Sequence, residues 1–280
     1  MGPIEGQIPR VGVLLKKEKV KRWTIRRAKG YPNVQLYIHI SWHYLFESLL
    51  IHLMEWGRAN CKKMERKTHI LVIPYPVQGH INPMLQFSKR LATKGARVTL
   101  VATSTIRNSM QALHGASSVN IEIIFDGSEG DETVESLIAT VDRFKDVVSQ
   151  SLAEYIEKLN SSKYPPKFIV YDCALPWALD VARKYGIDGA PFYTQSCAVN
   201  LVYYHFKKGT VRLPLEEPTV SLPSMPKLAI NDLSSLLSNP SSYPPLLNLF
   251  LDQFSNFLEA KWIFFSSFKE LELEVSSQSL

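Results

Sequence analysis

Cysteine is scarce in this sequence. Cys61, Cys173 and Cys197 are its three cysteines in 280 residues, an odd number without paired spacing. Such a count argues against a disulfide framework, and no Cys/His spacing is typical of a zinc site. We therefore expect a protein of a reducing compartment, with the cytoplasm as the default location and no bound metal.

An uninterrupted apolar run of membrane-spanning length is also lacking. No apolar stretch follows the initiator Met, so we expect no secretory signal. The best membrane candidate, residues 34–56, is interrupted by four polar side chains that are costly in a bilayer: His39, His43, Glu47 and His52. The sequence therefore predicts no stable membrane span.

Basic charge is concentrated in the first part of the chain. Residues 1–67 hold 14 Lys or Arg and 5 Asp or Glu, which leaves 18 basic and 21 acidic residues for the remainder. A basic arm that binds anionic lipid or RNA would show this excess, and so would an extension that is foreign to the fold. We favour the second interpretation, with no nucleic-acid partner, because an ordered strand–helix pattern begins abruptly after Met64. Residues 1–64 are thus predicted to be a poorly ordered extension, and residues 65–280 the domain.

Deleting residues 1–60 is expected to leave the thermal melting midpoint nearly unchanged, because the composition changes sharply at Met64 and the charge before it is uncompensated. Thermal unfolding of the full and shortened chains measures this. A large loss of stability would overturn the boundary. A loss of binding to RNA or to anionic vesicles would revive the basic-arm interpretation.

Short β-branched runs alternate with helical segments from residue 69 onward. Strands are predicted at 70–74, 97–102, 120–124, 168–171, 190–193 and 262–265, and helices at 81–94, 133–159, 177–185 and 197–207. This alternation is typical of a parallel sheet covered by helices. It predicts an α/β, doubly wound, Rossmann-like sheet, in which residues 213–245 form a long loop around short helices.

Two potential acid–base residues follow the first and fourth predicted strands. His80 lies in the loop or first helical turn after strand one, and Asp172 ends strand four. With strand order 3-2-1-4-5 these strands are neighbours about 5 Å apart, at the edge where α/β sheets bind ligands. A His hydrogen-bonded to a buried carboxylate is a general base held in one tautomer. His80 and Asp172 are therefore predicted to form a dyad.

Other features of the same turn support or compete with this interpretation. The helix N-terminus would disfavour a charged His80, Gly79 would admit backbone N–H groups close to a ligand, and Pro83 fits a first helical turn. Taken singly, His80 could also be a surface residue and Asp172 a helix cap. The turn contains neither G-x-G-x-x-G nor G-x-x-x-x-G-K-[ST], so no dinucleotide cofactor or P-loop is predicted.

Several blocks of the sequence resemble a known family in the same order. They include HILVIPYPVQGHINPMLQFSKRLATKG, IVYDCALPWALDVARKYGI, FYTQSCAVNLVYYHFKKG and LNLFLDQFSNFLEAKWIFFSSFKELELEV. Nearly all of residues 65–275 resemble plant UDP-dependent glycosyltransferases of the GT-B type, in their N-terminal, acceptor-binding half. The resemblance is greatest to the subgroup that glucosylates small carboxylic acids, phenolics and thiohydroximates.

This resemblance implies residue roles and partners. His80 would be the catalytic base and Asp172 its partner in an inverting transfer from UDP-glucose to a hydroxyl, carboxyl or thiol. Thr194 would contact the donor sugar, and Gln78, Gly79 and Gln195 would line the same cleft. UDP-sugar would be a co-substrate rather than a cofactor, no metal is implied, and we expect a monomer.

The sequence also departs from the family pattern. Family members begin near Met64 and carry a second, donor-binding domain with the signature H-x-G-W-N-S, which does not occur here. We therefore expect the C-terminal donor-binding domain to be absent. Three hypotheses remain: a truncated glycosyltransferase, a half-domain that binds acceptor-like small molecules without turnover, and a basic-arm protein that binds nucleic acid or membrane.

Overall fold

A computed structural model of the protein describes residues 68–107, 118–127, 137–212, 215, 217–223 and 225–267, with backbone alone for 137–142. The predicted extension and its boundary at residue 64 lie outside the described residues. Within the described part, no helix is both long and apolar enough to cross a bilayer.

Six parallel strands form the central sheet. The strands of the described residues are β1 (His69–Ile73), β2 (Arg97–Thr103), β3 (Asn120–Ile124), β4 (Pro166–Asp172), β5 (Asp188–Tyr193), β6 (Thr219–Val220), β7 (Leu228–Ala229) and β8 (Phe264–Phe265). The order in the sheet is β3-β2-β1-β4-β5-β8, which contains the order 3-2-1-4-5 assumed for the dyad, and β8 adds an edge strand beside β5. Because the order reverses between β1 and β4, the fold is a doubly wound α/β sheet.

Six α-helices are described. They are α1 (Gln78–Thr93), α2 (Leu137–Asn160), α3 (Trp177–Lys184), α4 (Cys197–Lys207), α5 (Ser235–Ser238) and α6 (Pro244–Asp252). The predicted long loop at 213–245 contains the short helix α5, as expected, and the small antiparallel pair β6–β7, which the sequence did not predict. Helix α6 begins only at Pro244 and extends beyond the predicted loop.

Helix α1 begins earlier than the predicted start at residue 81. Val77 is extended, and its carbonyl oxygen accepts hydrogen bonds from the N–H groups of His80 at 2.8 Å and Ile81 at 2.9 Å. His80 therefore lies in the first turn of the helix. Pro83 lies beyond that turn, inside the helix, where it offers no N–H to the preceding turn. The expectation of a first-turn proline was wrong.

Strand β1 is the centre of the core, and all five of its residues are buried. Because side chains alternate along a strand, Ile70 and Val72 join the cluster that contains Met84 of α1, whereas Leu71 and Ile73 join the cluster on the other face. Helices cover both faces of the sheet. Because both faces are covered, polar side chains that bind or react with a ligand are expected in the loops at the carboxyl ends of β1, β4 and β5.

Candidate active site

The predicted acid–base residues lie at the carboxyl ends of neighbouring strands. Asp172 is the last residue of β4, and His80 is in the first turn of the helix that follows β1. β1 and β4 are paired directly, with Ile73 opposite Tyr171. Parallel strands end at the same sheet edge, so this pairing brings residues 92 positions apart into contact.

His80 and Asp172 are hydrogen-bonded. Nδ1 of His80 lies 2.8 Å from Oδ2 of Asp172, and the two side chains are 15% and 0% exposed. A carboxylate oxygen can only accept a hydrogen bond, so the proton lies on Nδ1 and the lone pair of neutral His80 is on Nε2. The arrangement leaves Nε2 as the ring nitrogen available to accept a proton from a ligand.

The carboxylate of Asp172 also stabilises the turn after β4. Its Oδ1 accepts a hydrogen bond from the N–H of Ala174 at 3.0 Å, while the backbone oxygen accepts from Leu175. Asp172 is not the N-cap of α3, because that position belongs to Pro176. The buried charge thus has partners on both oxygens, as a fully desolvated carboxylate requires.

The other four predicted site residues differ in how close they come to the dyad. Oγ1 of Thr194, just after β5, lies 3.3 Å from Nδ1 of His80. Gln195 follows it, and its Oε1 is buried without a hydrogen-bond partner among the described residues. Gln78 is exposed and donates to Asn82 at 3.4 Å.

Gly79 is exposed at the start of α1 beside His80. An added Cβ there would meet nothing within 4 Å, so the space next to this backbone is open. Thr194 and Asp172 are the predicted residues that contact the His80 ring through hydrogen bonds. The roles of Gln78, Gly79 and Gln195 in lining a cleft stay predictions.

Tyr75 is a neighbour of His80 that the sequence did not single out. Its ring centroid lies 5.7 Å from that of His80 and 5.6 Å from that of Phe144 on α2, both in tilted orientations. Burial, followed by the charge of Asp172, raises the pKa of Tyr75. The signal available in the sequence was an aromatic residue between two prolines in the turn before His80.

The electrostatics at His80 differ from the expectation based on the helix N-terminus. Burial lowers the pKa of His80, but the hydrogen bond and the charge of Asp172 outweigh burial, and the net pKa is raised above its ordinary value. The expectation that the ring would be kept uncharged was therefore wrong in direction. A full charge in direct contact acts more strongly than the partial charge of a helix end.

The cysteines of the described region do not look like nucleophiles. Cys173 and Cys197 are both buried. Burial, with a further contribution from Asp172, raises the pKa of the Cys173 thiol, which disfavours the reactive thiolate. Nor do the described residues contain a group of three or more His, Cys, Asp or Glu side chains that could hold a metal ion.

Comparison with known proteins agrees with this fold. Residues 66–126 match the family described as "Glycosyltransferase, N-terminal domain". The chain is 47% identical over 210 residues to Mogroside I-E synthase of Siraitia grosvenorii, covering 74% of this chain and 46% of that protein. It matches the N-terminal half of plant UDP-glycosyltransferases.

Two further relatives bear on this assignment. UDP-glycosyltransferase 74F2 of Arabidopsis thaliana is 44% identical over 216 residues, covering 75% of this chain and 46% of that protein. The crystal structure of Os79 from O. sativa in complex with UDP superposes with a TM-score of 0.65 at 26% identity, covering 74% of this chain and 48% of that one. The chain spans about half the length of the curated UDP-glycosyltransferases it matches, and it corresponds to their N-terminal half.

Proposed function

We propose that this chain is the acceptor-binding, base-carrying half of a UDP-glycosyltransferase that transfers glucose from UDP-glucose to a small-molecule acceptor with inversion. The observation that carries the proposal is the 2.8 Å hydrogen bond between Nδ1 of His80 and Oδ2 of Asp172, which leaves Nε2 free to act as a base. The similarity to the N-terminal half of plant UDP-glycosyltransferases supports the reaction class, and the complex of Os79 with UDP supports a uridine-diphosphate donor.

In the proposed reaction, Nε2 of His80 takes the proton of an acceptor hydroxyl, carboxyl or thiol. The acceptor atom forms a bond to the anomeric carbon as the bond from that carbon to the UDP oxygen breaks. Attack from the face opposite UDP inverts the anomeric configuration. Asp172 stabilises the imidazolium that forms, because its buried carboxylate accepts the Nδ1–H hydrogen bond.

The remaining predicted residues are proposed to bind substrate. Thr194 would contact the donor sugar, and Gln78, Gly79 and Gln195 would line the cleft. Support comes from the open space beside Gly79 and from the buried, unpartnered Oε1 of Gln195 in the described part of the chain. Burying a hydrogen-bond acceptor without a donor costs about 1–3 kcal/mol of stability, and a hydrogen bond from a ligand hydroxyl would offset that cost.

A second candidate function is acceptor binding without turnover. The donor-binding signature H-x-G-W-N-S does not occur in the 280 residues, and the chain spans 46% of its curated relatives. By themselves these residues would offer UDP-glucose few partners. In this alternative these 280 residues bind small acceptor-like molecules, and glucose transfer requires a donor-binding half in addition to them.

Calorimetric titration of UDP-glucose and a glucose-transfer assay test both functions. The chain alone is expected to bind UDP-glucose far more weakly than full-length UDP-glycosyltransferase 74F2 does. A chimera with the C-terminal half of that relative is expected to bind it and to glucosylate members of a phenolic and carboxylic acid panel. Tight, saturable binding to the chain alone would contradict the need for a donor half. A folded chimera that binds UDP-glucose but transfers to no acceptor would contradict the proposed transferase.

A further inference from the structure

Two oxygens share the single proton on Nδ1 of His80. Oδ2 of Asp172 lies at 2.8 Å and Oγ1 of Thr194 at 3.3 Å from that nitrogen. Because the carboxylate can only accept, Nδ1 must carry the proton. Thr194 therefore cannot donate its own hydroxyl proton to Nδ1, and its oxygen acts as a second, longer acceptor of the same N–H group.

The position of Thr194 is determined by well-packed neighbours on both sides. Tyr193, which precedes it, is fully buried, donates its hydroxyl to the carbonyl of Gln253 at 3.1 Å and stacks on Phe265 with centroids 4.8 Å apart. Ser196, which follows two residues later, caps α4 by accepting from the N–H of Val199. The short segment between β5 and α4 thus holds the hydroxyl of Thr194 against the ring.

We propose that Thr194 is a positioning residue for the base, whose hydroxyl oxygen accepts from Nδ1–H of His80 alongside Asp172 and whose hydroxyl proton is directed to an oxygen of the bound ligand. This inference rests on the proposed function and goes beyond a sugar contact, since it links the ligand to the orientation of the His80 ring. A hydrogen bond from the charged ring is stronger than one from the neutral ring, so the contact also favours the imidazolium.

Few titratable groups act on His80 in the described region. Asp172 contributes both a hydrogen bond and a charge, and Tyr75 contributes a ring contact from the β1–α1 loop. Cys173 on the far side of the carboxylate has a raised pKa and stays neutral near pH 7. Because so few groups affect the pKa of His80, the loss of the Thr194 hydroxyl should be detectable as a change in that pKa.

An NMR titration of His80 in the 280-residue chain tests the proposal directly. Thr194→Val keeps the side-chain shape but loses the acceptor oxygen, so the pKa of His80 is expected to fall relative to wild type. Thr194→Ser retains the oxygen and is expected to restore the wild-type value. Thr93→Val is the matched control, since Thr93 donates to Arg90 at the far end of α1. That variant is expected to leave the pKa of His80 unchanged.

The outcomes separate this proposal from the proposed transferase, because the titration does not require turnover. An unchanged or raised pKa in Thr194→Val, or an equal fall in Thr194→Ser, would overturn the positioning role. If Thr194→Val does not fold, Thr194→Cys tests the same point, because sulfur is a weaker acceptor and should lower the pKa of His80.

Steady-state kinetics of the chimera give a second measurement of the role of Thr194. There we expect Thr194→Val to reduce kcat about 10-fold. A rise in KM for UDP-glucose with kcat unchanged would indicate a sugar contact alone.

Discussion

Replacing His80 by Ala is expected to reduce turnover with hydroxyl acceptors by about 100-fold or more in the chimera that restores the donor-binding half. The substitution removes Nε2, the nitrogen that would take the acceptor proton, and leaves Asp172 buried without its partner ring. Steady-state rates with a phenol and with a carboxylic acid measure the effect. An acceptor that is already ionised has no proton to lose, so its rate should depend less on His80.

The control for this variant is a second histidine away from the sheet edge. His205 lies near the end of α4, and neither of its ring nitrogens has a hydrogen-bond partner among the described residues. His205→Ala is therefore expected to keep turnover close to wild type. Full activity of His80→Ala toward hydroxyl acceptors, with folding and UDP-glucose affinity intact, would show that His80 is a structural cap rather than the base.

Asp172→Asn is expected to lower turnover with hydroxyl acceptors by about 100-fold or more as well. An amide cannot stabilise the imidazolium as a carboxylate does, and its N–H₂ group can donate to Nδ1 and place the proton on Nε2, the wrong nitrogen for a base. The comparison variant is Asp252→Asn, which alters an exposed ion pair with Lys207 on the surface. Such pairs contribute little, so that variant should retain activity and stability.

The pH dependence of the Asp172→Asn variant gives a second measurement. In the wild-type chain the pKa of His80 is raised, so the neutral base is lost as pH falls through that raised value. Without the carboxylate the pKa of His80 should fall, and the residual activity should persist to lower pH. An identical acid limb in both proteins would show that Asp172 does not act on the titrating base.

The same linkage predicts how stability depends on pH. A His whose pKa is higher in the folded than in the unfolded state stabilises the fold. That stabilisation is fully present below the pKa of the unfolded state and is lost as pH rises through the pKa of the folded state. The wild-type chain should therefore gain more stability than Asp172→Asn between neutral and mildly acidic pH. Denaturant unfolding at two pH values measures the difference, and an equal response in both chains would contradict the coupling.

Much of the fold was predictable because the relevant information is local. Residues 70–73, with the sequence ILVI, are apolar on both faces, as a central parallel strand requires. The strand–helix alternation predicted a doubly wound sheet, and the strand order assumed for such a sheet places β1 beside β4, as observed. Strands β6 and β7 were not predicted, because two-residue strands are too short to show a period. The early start of α1 depends on backbone hydrogen bonds to the carbonyl of Val77, which cannot be predicted from the pattern of side chains.

The sequence by itself determined the fold class, and it placed Asp172 at the end of one strand and His80 in the loop or first helical turn after another. Tertiary structure decided the rest of the site: the ring contact of Tyr75, the second acceptor on Nδ1 from Thr194, and the direction of the His80 pKa. The reason is that these properties depend on distances of a few ångströms between residues as much as 114 positions apart. Periodicity assigns a residue to an element and a face, whereas the packing of strands and helices determines which atoms of different elements touch.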